Sequence, residues 1–285
     1  MKYALFLGCT APVRARNYEL STRKVAEKLG IELVDVDDFA CCGFPLESVD
    51  HETALLLAAR NLSVAKSQGL DICVLCSACA GTLTQANHSL EQDEGLKSQV
   101  NAKLRSLGRS YDGGVRVRHF ARILFEDLGV EKLNGEITRP LTGVKIATHY
   151  GCHYLRPSEI YPGFENPEFP RSLDELVSAT GATTVEYSEK KTCCGAGVLA
   201  VDEAIPEALA SMKIKNAKAA GADAICVLCP FCNIVYESYS LSGGHGLPVV
   251  YFTQLLGLAL GIPAEDLGTD LNRVDPSPLL DKIQE

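Results

Sequence analysis

Short apolar runs alternate along the chain with longer stretches in which apolar residues recur every three or four positions. The apolar spacing over 18–29, followed by Gly30, predicts a helix that ends at a glycine. The short runs predict strands over 2–7, 31–36, 71–75 and 115–117, and again near 144–148, 183–187, 224–228 and 248–251. Strands separated by helices imply parallel sheets with right-handed crossovers. The pattern therefore predicts an α/β fold.

Two stretches depart from this regular alternation. Helical spacing continues from about 80 to 107, which predicts one long helix. The tail after Pro263 is polar and contains Pro276 and Pro278, which favours an extended path over the surface.

The sequence contains an internal repeat. Segment 2–9 matches segment 145–152, and segment 68–76 matches segment 220–229. A polar stretch containing a proline separates the two copies near 134–142. Duplication of one unit predicts two pseudo-repeated halves, each a small, mainly parallel sheet flanked by helices. We place a first domain over 1–135, and a second domain with a C-terminal tail over 143–285.

The cysteines repeat in the same way as the predicted elements. Ten of the twelve follow a doubled order, in which a lone cysteine precedes a Cys-Cys-Gly and then a Cys-x-x-Cys. The lone cysteines and the Cys-x-x-Cys pairs directly follow apolar strands. Because open parallel sheets collect their ligand sites at the carboxyl ends of strands, we expect each set of five to converge at one edge of its sheet.

Composition limits the kind of partner and compartment. The formal net charge is −9, so the chain offers no basic stripe for nucleic acid or an anionic membrane. No apolar run reaches the length of a membrane-spanning helix. The first residues resemble a strand more than a signal peptide, which predicts a cytoplasmic location, where disulfides are rare. Twelve cysteines there indicate metal or redox chemistry.

The number and type of ligands favour iron over zinc. A structural zinc ion takes four nitrogen or sulfur ligands, whereas each half offers five cysteines and needs no histidine to complete the set. Soft, all-thiolate ligation suits an iron–sulfur cluster. A zinc-stabilised scaffold or interaction protein remains the alternative on the residues alone.

The doubled motif resembles the cysteine-rich CCG family, and within it the HdrB subunits of heterodisulfide reductase. The resemblance spans nearly the whole chain and rests on segments 6–9, 149–153, 193–197, 229–232 and 255–259. It implies two non-cubane [4Fe–4S] clusters that cleave a disulfide bound between them, the chemistry by which the heterodisulfide of coenzymes M and B is reduced in methanogenesis. It also implies an electron-donating, HdrC-like ferredoxin subunit with cubane clusters and an HdrA-like flavoprotein.

The resemblance also assigns cluster ligands, each set by its position in the motif. The first cluster would be held by Cys9, Cys41, Cys42, Cys76 and Cys79, and the second by Cys152, Cys193, Cys194, Cys229 and Cys232.

Other residues that lie near the cysteines in sequence are also candidates for a role. His153 directly follows a proposed ligand, and histidine is a side chain that can protonate a departing thiolate near neutral pH. We expect His149 and His119 to be structural, and Cys73 and Cys226 to be buried, inert thiols. Lys190 and Lys191 are expected in a solvated loop.

The sequence leaves the substrate and the direction of the reaction open. One alternative is a non-catalytic, electron-relaying subunit of a larger oxidoreductase. Another keeps the catalytic centre but oxidises thiols or other sulfur compounds.

Overall fold

The computed structural model describes residues 1–244 and 246–284. Within them, two four-stranded sheets form, one from each half of the sequence, and every strand pairing is parallel. The first sheet has the order β2-β1-β3-β4 and the second the order β6-β5-β7-β8. The strands are β1 Lys2–Phe6, β2 Glu32–Asp35, β3 Asp71–Val74, β4 Val117–His119, β5 Lys145–His149, β6 Thr183–Thr184, β7 Ala224–Val227 and β8 Val249–Tyr251. The matching order confirms the predicted α/β fold of two similar halves.

Helices connect the strands and cover both faces of each sheet. In the first half they are α1 Ala11–Arg14, α2 Arg16–Lys28, α3 His51–Ser67, α4 Ser77–Gln92, α5 Glu94–Leu104, α6 Phe120–Arg122 and α7 Val130–Glu136, with a π-helical segment at Ile123–Gly129. In the second half they are α8 Cys152–Leu155, α9 Ser172–Ala179, α10 Ala204–Ala219, α11 Pro230–Ser242, α12 Phe252–Ala259 and α13 Ser277–Gln284.

Two of the predicted elements differ from the structure. The single helix expected over 80–107 is interrupted at Asp93, which has extended backbone and accepts a hydrogen bond from the Leu96 amide as the N-cap of α5. The tail after Pro263 was expected to be extended, but it contains α13. It is anchored by Asn272, which is buried and hydrogen-bonds Asn17 and Gln254.

The two halves pack against each other through two pairs of helices. Helix α2 of the first half lies against α12 of the second, where Tyr18 stacks on Tyr251 with 4.1 Å between ring centroids. Helix α4 of the first half lies against the short helix α8 of the second. The apolar core runs through both halves. The division into domains 1–135 and 143–285 therefore stays a prediction about the sequence.

Candidate functional site

The cysteines of the first half lie at the carboxyl ends of neighbouring strands. Cys9 follows β1, whereas Cys76 follows β3 and is the N-cap of α4, with Cys79 in the first turn of that helix. Strands β1 and β3 are neighbours, and the chain leaves the carboxyl end of β1 toward β2 but that of β3 toward β4, in the opposite direction. Such a switch point forms a crevice in an open parallel sheet, and the free amides of a helix start favour thiolate there.

The adjacent pair Cys41 and Cys42 is held by a tight loop. Gly43 follows with φ +99°, and a Cβ at this position would lie 2.5 Å from the carbonyl oxygen of Ala54 in α3. Asn61, also in α3, accepts a hydrogen bond from the Ala40 amide at 2.8 Å and donates to the Cys41 carbonyl at 2.9 Å. At position 43, glycine is therefore required both by the positive φ and by the close approach of Ala54.

The five thiols of the first half form one connected group. Hydrogen-bonding contacts run from Cys9 through Cys41, Cys42 and Cys79 to Cys76. Cys9 is exposed, and the group becomes buried toward Cys76. The structure thus brings together the residues that the spacing predicted.

The second half repeats the arrangement. Cys152 contacts Cys193 with 3.9 Å between the sulfur atoms, and the contacts continue through Cys194 and Cys232 to Cys229. Hydrogen bonds from Cys152 and Cys194 lower the pKa of the Cys193 thiol well below its usual range.

The two groups of cysteines meet at the interface between the halves. The sulfur atoms of Cys76 and Cys229 are 3.9 Å apart. Beside them lies a cavity of about 330 Å³, lined by second-half cysteines and by residues from both halves, including Phe44, Ala78 and Phe231. A small molecule in this cavity would touch the second group directly, and Phe44, Ala78 and Phe231 also border the first group.

The chemistry of the donors fits iron–sulfur binding. All twelve cysteines lie among the described residues and are free, and ten of them form the two connected groups of five. Five thiols exceed the four ligands of a structural zinc ion, and thiolates are the ligands that iron–sulfur clusters use. Clustered cysteines of this kind therefore indicate an iron–sulfur protein.

His153 lies in the cavity at the interface. Its Nδ1 is 3.3 Å from the Cys152 sulfur, and its ring packs edge-on against Phe44 with 5.1 Å between centroids. Helix α4 approaches closely because it carries Gly81, where a Cβ would lie 3.2 Å from the Cβ of His153. The role of His153 as a proton donor stays a prediction.

A buried polar group under the second set of cysteines was not foreseen. His149, expected to be structural, has its Nε2 3.3 Å from the Cys232 sulfur, and its Nδ1 3.0 Å from the Nζ of Lys213 in α10. Burial lowers the pKa of Lys213 to about 8, while nearby cysteines such as Cys232 oppose that shift. The sequence offered little to indicate Lys213, because it lies in α10 outside every motif.

The remaining candidates have structural surroundings. Cys73 and Cys226 are fully buried in β3 and β7, and burial raises the pKa of both thiols. His119 is buried and contacts the Leu228 carbonyl across the interface at 2.9 Å, and its pKa is lowered to about 4, mainly by burial.

The lysine pair lies beside a larger open cavity. Lys190, expected to be solvated, is instead largely buried and ion-paired with Asp174 at 2.8 Å. Lys191 pairs with Glu168. Both residues line a cavity of about 750 Å³ that touches Cys193 but no other cysteine of the two groups.

Comparison with known proteins now adds to this geometry. The cysteine-rich CCG domain matches residues 3–84 and 146–235, which together contain both groups of five cysteines. The chain belongs to the CCG family. It is 38% identical to the HdrB subunit of the ferredoxin/F420H2-dependent CoB–CoM heterodisulfide reductase of Methanosarcina acetivorans, over 100% of this chain and 97% of that protein.

One further relative and one solved structure are also similar to the chain. The chain is 33% identical to the membrane anchor subunit of the 8-methylmenaquinol:fumarate reductase of Wolinella succinogenes, over 98% of this chain and 99% of that one. A crystal structure of a hypothetical protein from Helicobacter pylori superposes with a TM-score of 0.77 at 18% identity. The superposition covers 96% of this chain and 52% of the Helicobacter pylori chain. In residues 1–244 and 246–284 we find no helix with the length and apolarity needed to cross a membrane.

Proposed function

We propose that the chain is the catalytic component of a cytoplasmic, heterodisulfide-reductase-like complex. It would reduce, or reversibly form, a small disulfide between two non-cubane [4Fe–4S] clusters. The observation that carries this proposal is the meeting of the two groups of five thiols at Cys76 and Cys229, beside a cavity shared by both halves. The cavity volume of about 330 Å³ is at the small end of the range for ligand sites, so the substrate would be a small molecule or the end of a larger one.

The ligands of the two clusters would be the two connected groups of thiols. When bound, such clusters supply one-electron transfer and an iron site that can take a substrate sulfur. The chain itself fixes the thiols through rigid elements, namely strand ends, the starts of α4 and α11, and the loops at Gly43 and Gly195. The ligand assignment follows the motif, and the connected contacts support it.

The proposed reaction also requires a source of protons. Reduction of a disulfide consumes two electrons and two protons and releases two thiols. His153 lines the cavity and has a ring nitrogen near Cys152, so it is placed to give a proton to a departing thiolate. The apolar walls formed by Phe44 and Phe231 limit the access of water to that thiolate.

Electrons would come from partner proteins of the same complex. The proposed donor is an HdrC-like ferredoxin subunit with cubane clusters, fed by an HdrA-like flavoprotein. Support comes from the Methanosarcina relative, whose name marks it as one component of a ferredoxin- or F420H2-dependent reductase. Cys9 and Cys193 are exposed, so each group of thiols reaches the surface at one end.

The test begins with iron and acid-labile sulfide per chain in anaerobically purified protein. We expect about eight irons per chain, because two four-iron clusters are proposed. Electron paramagnetic resonance (EPR) spectra should then be recorded after oxidation with a panel of small disulfides. A new signal that depends on one disulfide would support the proposal, whereas one or two zinc ions with no sulfide would overturn it and favour a scaffold.

A second candidate is an electron-relaying role without a substrate of its own. The relative from Wolinella succinogenes favours it, since that protein is named as part of a quinol:fumarate reductase. This function predicts full iron content and reversible one-electron reduction, but no spectral change with any disulfide or thiol. Oxidation of thiols by the same centre predicts instead that a thiol reduces the clusters.

A further inference from the structure

Equivalent positions beside the two groups of cysteines differ in polarity. Three positions in each half differ in this way: they are uncharged in the first half and more polar or charged in the second. They lie three residues before the lone cysteine, nineteen residues after the Cys-Cys pair and four residues after the Cys-x-x-Cys. The pairs are Phe6 and His149, Asn61 and Lys213, and Leu83 and Tyr236.

Asn61 and Lys213 are equivalent in space as well as in sequence. Asn61 in α3 hydrogen-bonds the backbone of Ala40, the residue before the first Cys-Cys pair. Lys213 in α10 donates to the carbonyl of Thr192, the residue before the second pair, at 2.5 Å. Each side chain thus holds the equivalent loop of its own half, but only Lys213 carries a positive charge.

The hydrogen bonds of Lys213 determine which nitrogen of His149 carries a proton. An ammonium group has three N–H donors and no acceptor. Those of Lys213 have three acceptors: the carbonyls of Thr192 and of Lys190 at 3.0 Å, and the Nδ1 of His149 at 3.0 Å. Nδ1 therefore accepts, and the proton of the neutral ring is on Nε2, the atom 3.3 Å from the Cys232 sulfur.

Tyr236 completes this group without competing for the proton. Its hydroxyl lies 3.3 Å from Nδ1 and 3.4 Å from Nε2, with the two rings nearly perpendicular at 87°. It contacts both nitrogens almost equally, whereas the 3.3 Å contact of Nε2 with Cys232 is short for sulfur, which has a larger radius than oxygen. Cys232 is thus the better-placed acceptor.

Backbone hydrogen bonds to the first cysteine of each Cys-Cys pair are shared by the two halves. The amide of Gly195 donates to Cys193, and the amide of Gly43 does the same for Cys41. These backbone bonds act on both groups alike. In the described residues, the side-chain donor at His149 has no counterpart at Phe6, whose ring offers no N–H.

We propose that His149, oriented by Lys213, donates a hydrogen bond to Cys232 and thereby makes the second cluster easier to reduce than the first. The proposal rests on the proposed function, because it requires a cluster at each group of cysteines. A donor to a ligand sulfur and a nearby positive charge both stabilise the more negative, reduced state, and so raise the reduction potential. His149 is a positioning residue in this scheme, and its effect is on the potential.

The experiment is a redox titration of the iron-loaded full chain, monitored by EPR. His149→Leu removes the N–H and should lower one midpoint potential while leaving the other in place. We expect about a tenfold change in the one-electron equilibrium constant, which corresponds to about 59 mV. His149→Gln, whose amide nitrogen reaches about the position of Nε2, should restore most of the shift. Lys213→Asn, which copies Asn61, should lower the same potential.

Controls assign the shift to one cluster. Phe6→Leu is the matched change in the first half and should leave both potentials in place. A Cys79→Ser chain, with the first cluster lost, should retain the higher potential, and adding His149→Leu to it should lower that value.

Three outcomes would overturn this proposal alone. One is a full set of clusters with unmoved potentials in His149→Leu and Lys213→Asn, which would leave the proposed function intact. Another is a second cluster with the lower potential in the unaltered chain. The third is loss of the second cluster in all three variants, His149→Gln included, which would make the residues purely structural. An unaltered chain without iron would overturn this proposal and the proposed function together.

Discussion

The two halves of the chain have the same strand order and the same cysteine arrangement, but they surround the cysteines differently. Under the first group lie Phe6 and Leu83, and the loop before the cysteine pair is held by a neutral amide. Under the second lie His149 and Tyr236, and the loop is held by Lys213. Two equivalent groups of cysteines thus lie in unequal surroundings.

A second difference concerns access. The residue after the lone cysteine is Thr10 in the first half and His153 in the second, with 3.7 Å from Cys9 to the threonine hydroxyl and 3.3 Å from Cys152 to the histidine ring. The cavity at the interface is lined by cysteines of the second half. Substrate binding and proton transfer are thus expected on the second side, which makes the halves separable by mutation.

The largest effect is expected when one group of thiols is broken. Cys79→Ser and Cys232→Ser are matched changes, one in each half, and each should reduce the iron content from about eight to about four per chain. Disulfide reduction should fall more than about 100-fold in both, since ligand loss exceeds the 10–100-fold cost of losing an outer-shell partner. Iron analysis and a turnover assay check this. Full turnover in either variant would show that one cluster suffices.

Replacement of His153, the proposed proton donor, should have the next largest effect. His153→Gln should slow disulfide reduction by about 100-fold or more, because general acid catalysis contributes about 10²–10⁴-fold. The matched control is Thr10→Val, which should change the rate little. Iron content should be unchanged in both. The rate should be recorded as a function of pH, and an unaltered pH profile in His153→Gln would remove the histidine from the mechanism.

Much of the fold and the two groups of thiols followed from local rules. Strand–helix alternation fixed the fold class, and the carboxyl ends of parallel strands explained why Cys9 and Cys76, far apart in sequence, converge. The match between 2–9 and 145–152 revealed the duplication. Each of these inferences uses periodicity or spacing, which a sequence carries directly.

What the sequence could not provide depends on packing between distant segments. The 3.9 Å contact of Cys76 with Cys229 results from the docking of α2 on α12 and of α4 on α8, for which no spacing rule exists. Lys213 lies nineteen residues after Cys194 and belongs to no motif. The helix break at Asp93 was missed although residues 91–95 interrupt the apolar spacing between Leu90 and Leu96, and although aspartate is a common N-cap.

The glycines that follow the cysteine pairs offer a test of how alike the loops are. Gly43→Ala and Gly195→Ala should each cost about 1–3 kcal/mol, since φ is positive and a Cβ would meet Ala54 or Pro206 within 3 Å. Thermal unfolding should show a fall of several degrees in Tm, larger for Gly43, where the contact is with a backbone oxygen at 2.5 Å. Gly30→Ala is the control, because its φ is positive but no atom lies within 4 Å. An equal loss there would mean that conformation alone sets the cost.

The smallest effect is expected from exchanging side chains in the wall of the cavity. Ala78 and Phe231 occupy equivalent positions in the two Cys-x-x-Cys segments, and both line the cavity at the interface. Ala78→Phe should fill part of the space and raise KM for a small disulfide by about tenfold, or about 1.4 kcal/mol of binding, with iron content retained. Phe231→Ala should enlarge the cavity and favour the longer members of a series of dialkyl disulfides. An unchanged KM in Ala78→Phe would indicate that the substrate binds away from the interface, for example in the open cavity beside Cys193. It would also contradict the idea that both halves share one substrate.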